Sequence, residues 1–125
     1  MTSAPAKVIE EIEGLVLCRV GEDRLAVRAR EVSAFDVPHE GALYAGEGFT
    51  PGARAPAEAR LLRHHDTALV VDTVEVYPER LPLLAVPAVL SRAWGGALAG
   101  FVEAGGLLWP VLSLERFAQA PEVVS

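Results

Sequence analysis

The residues of this chain that could do chemistry are few, and the densest group is His64-His65-Asp66. Histidines beside a carboxylate are typical of a metal site or of an enzyme. Neighbouring residues of a strand point to opposite faces of a sheet, so His64 and His65 cannot easily hold one metal. The alternative is a solvated turn. The enzyme hypothesis predicts a metal in the purified protein, which elemental analysis tests.

The other polar candidates do not assemble into a catalytic pattern. Three aspartates have no partner that the sequence can place: Asp36, Asp66 and Asp72. No serine or cysteine nucleophile stands in an elbow-like context, and no lysine follows Gly105-Gly106 as a phosphate-binding loop requires. Cys18 is the one cysteine, which excludes an intrachain disulfide, and its apolar surroundings indicate a small core residue. We therefore expect no enzyme activity, no cofactor and no metal.

Composition restricts the classes of partner. The 125 residues suit one domain, and 51% of them are hydrophobic, which is enough for a core. The net charge of −6 argues against nucleic acid and against anionic lipid, because both require a basic face. No secretory signal and no apolar run of about 20 residues is evident. We expect a soluble cytoplasmic protein.

Apolar β-branched runs separated by turn residues predict a mainly β fold. The central hairpin covers Leu61–Val76, where Leu69, Val70 and Val71 suggest a strand covered on both faces. A second hairpin joins Leu15–Val20 to Arg24–Arg28 through a glycine and two acidic residues. A third runs from Leu98 to Leu112 around Gly-Gly, which suits a two-residue turn. Five to seven short strands are typical of small barrels.

The remaining segments frame these hairpins. Residues 1–13 are expected to be a flexible lead, residues 38–56 a long loop rich in glycine and proline, and residues 120–125 a loose tail. Three prolines keep Val76–Pro87 extended but bar it from the interior of a sheet. Ser113 is a plausible N-cap for a short C-terminal helix.

Three blocks, taken in order, resemble the CheW-like domain, the adaptor of bacterial chemotaxis-type signalling. Leu15–Phe35 (LVLCRVGEDRLAVRAREVSAF) resembles the opening strand, turn and strand of that family. Ala68–Val76 (ALVVDTVEV) is similar to its GLLVDxVxxV strand. Leu98–Phe117 (LAGFVEAGGLLWPVLSLERF) is similar to its closing hairpin and helix. Together the blocks cover more than half of the chain.

The resemblance implies two small SH3-like β-barrels with an apolar groove between them, built from residues 14–119. One departure is large. Where the family has a strand pair similar to GxxNLRGxxxPVxDLR, residues 41–52 carry no such motif. We therefore expect a shortened member in which the loop 38–56 replaces the missing strands and the first barrel is incomplete.

The resemblance also implies a function. Family members are non-enzymatic adaptors that bind the helical hairpin tip of a methyl-accepting receptor in the groove and join it to a CheA-like histidine kinase; other CheW-like proteins are further possible partners. Kinase coupling is expected to be weakened or absent here, because part of its surface belongs to the missing strands. The residues that match the groove, or that are candidates for its other wall, are Val32, Phe35, Val71, Val74, Gly100 and Phe101.

Two alternatives stay open at this point. Each of these apolar residues could instead belong to the core, since large apolar side chains are usually buried. The domain could also be a small SH3-like peptide-binding module of another pathway, for which binding of proline-rich peptides would be the test.

Overall fold

The computed structural model describes residues 7–39, 42–65 and 67–119. Within them lie nine strands and two short α-helices. The strands are β1 (Val8–Val20), β2 (Asp23–Arg28), β3 (Ala34–Asp36), β4 (Leu43–Tyr44), β5 (Arg60–His64), β6 (Thr67–Val71), β7 (Thr73–Leu84), β8 (Leu98–Ala104) and β9 (Leu107–Leu112). The helices are α1 (Gly46–Phe49) and α2 (Leu114–Gln119). No helix in the described ranges is long and apolar enough to span a bilayer.

The described strands form two β units. Five of them close a barrel in the order β1-β2-β9-β8-β7, and four form an open sheet in the order β3-β5-β6-β4. The first two and the last three of the described strands build the barrel, and the four between them build the open sheet. The predicted mainly β class is confirmed, with one closed five-stranded barrel and one open four-stranded sheet among the described strands.

Strand β1 forms the wall between the two units, and this position explains its apolar run Leu15–Val20. Leu15 and Leu17 of β1 pack inside the barrel, whereas Val16 and Cys18 pack against the open sheet. A strand with apolar neighbours on both faces has no reason to alternate with polar residues. Burial raises the pKa of the Cys18 thiol to about 12, so the thiol stays neutral and inert.

A second core fills the space between this wall and the open sheet. The sheet contributes Leu62, Leu69 and Val71, all fully buried. Their neighbours Leu61 and Val70 alternate to the opposite face and form a small third cluster with Ala59. The central hairpin is therefore covered on both faces, as its sequence predicts.

Asp72 joins the two units by hydrogen bonds. Its Oδ1 accepts from the Tyr44 hydroxyl at 2.5 Å, and its Oδ2 accepts from the Gly21 backbone N–H at 2.7 Å. Tyr44 belongs to the edge strand β4 of the open sheet, and Gly21 lies in the turn between β1 and β2. The sequence offered no partner for this aspartate, yet it fastens the sheet to the barrel.

Glu31 makes a second connection. Its buried carboxylate accepts from the Leu114 N–H at 2.9 Å and from the Ser113 hydroxyl at 3.3 Å, at the start of α2. Its carbonyl oxygen accepts from His64 Nδ1 at 2.6 Å. The Ser113 Oγ in turn accepts from the Arg116 N–H at 3.2 Å, which confirms Ser113 as the N-cap.

The flexible lead expected at residues 1–13 is corrected over its second half; residues 1–6 lie outside the described ranges. Val8–Glu13 belong to β1 and pair with β7. Ile12 is buried inside the barrel, and the glutamates on either side face solvent, where Glu10 binds Arg28 at 2.6 Å. Glu11 and Glu13 therefore lie on the outer face of the strand.

The loop expected at residues 38–56 is also corrected. It contains β4 and α1, although residues 40 and 41 lie outside the described ranges. β4 pairs in parallel with β6, with Leu43 opposite Leu69 and Tyr44 opposite Val70. Two residues are too short to show period-2 alternation, so the sequence could not reveal this strand. The tail 120–125 lies outside the described residues.

The proline-rich segment forms the long barrel strand β7, which is paired with β1. Pro78 lies at a register shift between Tyr77 and Arg80, where a bulge needs no N–H from it. On its other side β7 pairs with β8 at Leu84 and Phe101 alone among the described residues. The expectation that the prolines bar this segment from the interior of a sheet is corrected, because β7 lies between β1 and β8 in the closed barrel, with Pro82 opposite Glu11 in the β1 register.

Candidate protein-binding groove

An apolar groove of about 330 Å³ opens where the edge strand β3 meets the barrel strand β7. Its lining comprises Phe35, Asp36, Val37, Arg60 and Val74. We refer to this lining as the groove. It combines residues from both β units and therefore lies on their seam.

Strand register explains why these side chains meet. Phe35 stands directly opposite Leu62, and directly opposite residues share a face, so Phe35 is turned towards the barrel like Leu62. On the barrel, Val74 stands opposite Cys18, which belongs to the core between the units. The groove is thus the open margin of that core.

The margin is exposed to an unusual degree for large apolar residues. Phe35 is 49% exposed and Val37 is 66% exposed. Val76 is 62% exposed, and it lies two residues beyond Val74, on the same face of β7. Exposed apolar residues clustered in one concave place are typical of a protein-binding surface.

The charges around the groove are unevenly compensated. Asp36 accepts from the Val37 N–H at 2.8 Å and lies 3.9 Å from the guanidinium of Arg63. Arg60 has no ion-pair partner among the residues that the structure describes. A partner that placed a carboxylate beside its apolar residues would match this lining.

The comparison with known structures identifies the architecture. The crystal structure of the scaffolding protein TtCheW from Thermoanaerobacter tengcongensis superimposes with a TM-score of 0.61, covering 91% of this chain and 91% of that chain. This chain has the CheW fold. The sequences are 12% identical, so the likeness shows the fold alone. No protein-family model and no curated protein matches the chain. The shortening expected relative to CheW-like domains stays a prediction.

Two residues that the resemblance to CheW-like domains suggested, Phe35 and Val74, line the groove together. Val32 is half-buried and packs against the core between the units, with its N–H donating to Ala29. It supports the segment that carries Phe35 and contributes no groove surface of its own.

The other three suggested residues lie elsewhere in this CheW fold. Val71 is fully buried. Gly100 is buried in β8, where a Cβ would overlap the Leu84 carbonyl oxygen and come within 2.7 Å of Leu83 Cδ1. Phe101 is half-buried and pairs with Leu84 at one end of β7, whereas Val74 lies near the other end of that strand. Gly100 therefore permits a close approach between strands and offers no side chain to a partner.

Sequence reasoning missed Val37 and Arg60. Val37 follows Phe35 by two residues in an extended segment before Pro38, and this spacing places both side chains on one side of the chain. The sequence alone could therefore have indicated Val37 as a neighbour of Phe35. Arg60 reaches the groove only through the pairing of β3 with β5, which no local pattern contains.

The histidine cluster has a structural place. His64 donates to the Glu31 carbonyl, and the His65 backbone N–H donates to the Ser33 hydroxyl at 3.3 Å. Asp66 lies outside the described residues. Within the described ranges no group of three or more His, Cys, Asp or Glu is placed to hold a metal ion.

Proposed function

We propose that this chain is a non-enzymatic, cytoplasmic signalling adaptor of a chemotaxis-like pathway. Its groove would bind the helical hairpin tip of a methyl-accepting receptor. The observation that carries the proposal is the position of Phe35, half exposed beside Val74 at the open margin of the core. The fold supports it, because it is shared with a solved protein that is described as a scaffolding protein.

Helix-in-groove recognition suits this geometry. An amphipathic helix lays apolar anchors spaced three or four residues apart into an apolar slot. Phe35 and Val37 would form one wall, and Val74 with Val76 the other. A glutamate or aspartate one turn from the anchors would reach Arg60, whose guanidinium is uncompensated among the described residues.

The free energy gained by covering the apolar surface of one groove predicts weak binding. Covering the exposed parts of Phe35, Val37 and Val76 contributes about 1 kcal/mol each. Association costs at least ~4 kcal/mol of lost translational and rotational freedom. A stable assembly would therefore need several linked contacts, as an array of receptors provides.

Coupling to a CheA-like kinase, or to other CheW-like proteins, is the second part of the proposal. We infer that it is weakened or absent. The open unit has four strands in the described residues where the barrel has five. A strand pair absent from the open unit would remove surface on which a kinase regulatory domain could dock.

The test uses the full chain with a receptor tip fragment and, separately, with a CheA-like regulatory domain. The proposal predicts binding of the tip that Phe35→Ala lowers at least tenfold, with the fold intact by circular dichroism. Phe101→Ala is the matched control, since it removes a half-buried phenylalanine outside the groove. Failure to bind the tip would exclude the adaptor role, and equal affinity for both partners would exclude weakened coupling.

The free edge of β3 supports one alternative, an SH3-like peptide reader. Ala34, Phe35 and Asp36 are all exposed, and β3 ends the sheet. An extended peptide could add to this edge and place alternate side chains in the groove. Binding of proline-rich peptides from an array, without binding of receptor helices, would favour this function.

A further inference from the structure

A pair of arginines at the mouth of the closed barrel has no part in the groove. Arg19 of β1 and Arg24 of β2 stand directly opposite each other in the register. Like charges in that position destabilise a sheet. Within the described ranges the ion pairs of arginine involve Arg28, Arg63 and Arg80, so no carboxylate compensates this pair.

Trp109 holds both guanidinium groups in place. They lie 5.3 Å (Arg19) and 5.8 Å (Arg24) from the centre of its ring. The indole is buried and its N–H donates to the Ala104 carbonyl at 3.0 Å. Arg24 Nε also donates to the Leu108 carbonyl at 2.7 Å. Stacking on a fixed ring orients the two side chains before any partner arrives, which lowers the entropy cost of binding.

Apolar surface lies next to these charges. Leu107 is 37% exposed, directly after the Gly105-Gly106 turn, and it shares the barrel side of β9 with Trp109 two residues later, whereas Leu108 points to the other face. We call the four side chains Arg19, Arg24, Leu107 and Trp109 the arginine–leucine patch. It combines two oriented cations with one exposed leucine where β2 pairs with β9.

The patch lies on a different face from the groove. Arg19 follows Leu17 by two residues and so continues the side of β1 that lines the barrel interior. Val74 shares the opposite side of this wall with Cys18, towards the open sheet. A partner in the groove would therefore leave the patch accessible.

We propose that the arginine–leucine patch binds an acidic-apolar segment of a partner protein, with a carboxylate on the paired guanidinium groups and an apolar side chain against Leu107. The planar fork of arginine matches a carboxylate with two parallel hydrogen bonds. A partner charge would also remove the repulsion between the two arginines.

The surrounding charge selects a peptide over a large polyanion. Glu22 and Asp23 adjoin Arg24 in the chain, and Glu103 stands opposite Leu108. With a net charge of −6, the molecule would repel an anionic membrane or a nucleic acid beyond these two arginines. One or two carboxylates on an apolar segment fit the patch without meeting those acidic neighbours.

Selection from a random displayed peptide library on the full chain tests this inference. Peptides that bind are expected to carry Asp or Glu next to Leu, Ile, Val or Phe. In a Trp94→Phe background, where Trp109 is the one remaining tryptophan, the selected peptides are expected to change its fluorescence. Added salt is expected to lower the affinity of these peptides, since the contact is partly ionic.

Matched variants decide the outcome. The double variant Arg19→Gln/Arg24→Gln is expected to bind the selected peptides at least tenfold more weakly, with the fold retained. Arg92→Gln, at an exposed arginine elsewhere, is expected to leave their affinity unchanged. Phe35→Ala is expected to leave them unaffected, which separates this inference from the groove. Selection of no acidic peptides, equal binding by the double variant, or binding of phosphatidylglycerol vesicles in place of peptides would overturn it.

Discussion

The hydroxyl of Tyr44 donates a 2.5 Å hydrogen bond to the carboxylate of Asp72, across the boundary between the open sheet and the barrel. The same carboxylate accepts from Gly21 in the barrel, so one side chain fastens the β4 edge of the sheet. Glu31 fastens the start of α2 to the segment that leads into β3, at the other edge. These two connections hold the units in the relation that opens the groove beside Phe35.

Removing the Tyr44 hydroxyl tests the first connection. Tyr44→Phe is expected to lower the free energy of unfolding by about 1.5 kcal/mol, because it removes a hydrogen bond to a charged group. Tyr77→Phe is the control, since the exposed Tyr77 hydroxyl donates to Glu79 two residues away, so the substitution should change stability by less than ~0.5 kcal/mol. Urea denaturation measures both. Equal effects of the two substitutions would contradict a special role for Tyr44.

The same tyrosine makes stability depend on pH in the alkaline range. Burial, with the hydrogen bond and negative charge of Asp72, raises the pKa of Tyr44 from 10.0 to about 12. Because the folded-state pKa is the higher one, this contribution is complete below about pH 10 and is lost as the pH rises towards 12. The raised pKa of the buried Cys18 thiol acts in the same direction from pH 9.0 upwards. The stability difference between wild type and Tyr44→Phe isolates the tyrosine.

That difference should be constant from about pH 7 to pH 9 and should shrink above about pH 10, where the unfolded phenol ionises first. Urea midpoints of both proteins over this range provide the measurement. A difference that does not change up to about pH 11.5 would contradict a raised pKa of Tyr44 in the folded protein.

The buried carboxylate of Glu31 provides the third prediction. Glu31→Ala leaves the Leu114 N–H without its acceptor and should cost about 2 kcal/mol, whereas Glu31→Gln keeps one acceptor oxygen and should cost about half as much. Glu58→Ala, at an exposed glutamate, is the control. Urea denaturation followed by circular dichroism gives the ranking, and a Glu31→Ala protein as stable as the control would be inconsistent with this connection.

Gly100 separates a packing role from a binding role. Gly100→Ala places a methyl group against the Leu84 carbonyl and Leu83, and should cost about 2 kcal/mol or more. Gly105→Ala meets open space at a φ of +59° and should cost about 1 kcal/mol of backbone strain alone. Thermal unfolding compares the two. A larger stability cost for Gly105→Ala than for Gly100→Ala would show that β7 can shift to accommodate the added methyl group.

What the sequence predicted correctly is local. The three hairpins, the Gly105-Gly106 turn and the Ser113 cap each depend on residues a few positions apart. The partners of Asp72 lie 28 and 51 residues away, and no pattern within a hairpin contains them. Val8–Glu13 were missed because three exposed glutamates in a short stretch resemble a flexible acidic segment.

In the candidate site, too, local features could be predicted from the sequence and long-range pairing could not. The resemblance to CheW-like domains suggested Phe35 and Val74, and the pairing of β3 with β5 brings Arg60 to them. Val71 was suggested from its place in the middle block that resembles the CheW-like domain, but which face of that strand meets the core depends on the packing of two units. Burial of Gly100 likewise depends on the close approach of β7 and β8.

Mapping the surface that contacts a receptor tip tests the central claim most directly. Backbone amide shifts of the ¹⁵N-labelled full chain would be recorded while a helical hairpin tip of a methyl-accepting receptor from the same genome is added. The account predicts the largest changes at Phe35, Val37, Val74 and Val76, with Leu107 and Leu108 unaffected. Changes centred on the β8–β9 hairpin, or no change at saturating fragment, would contradict it.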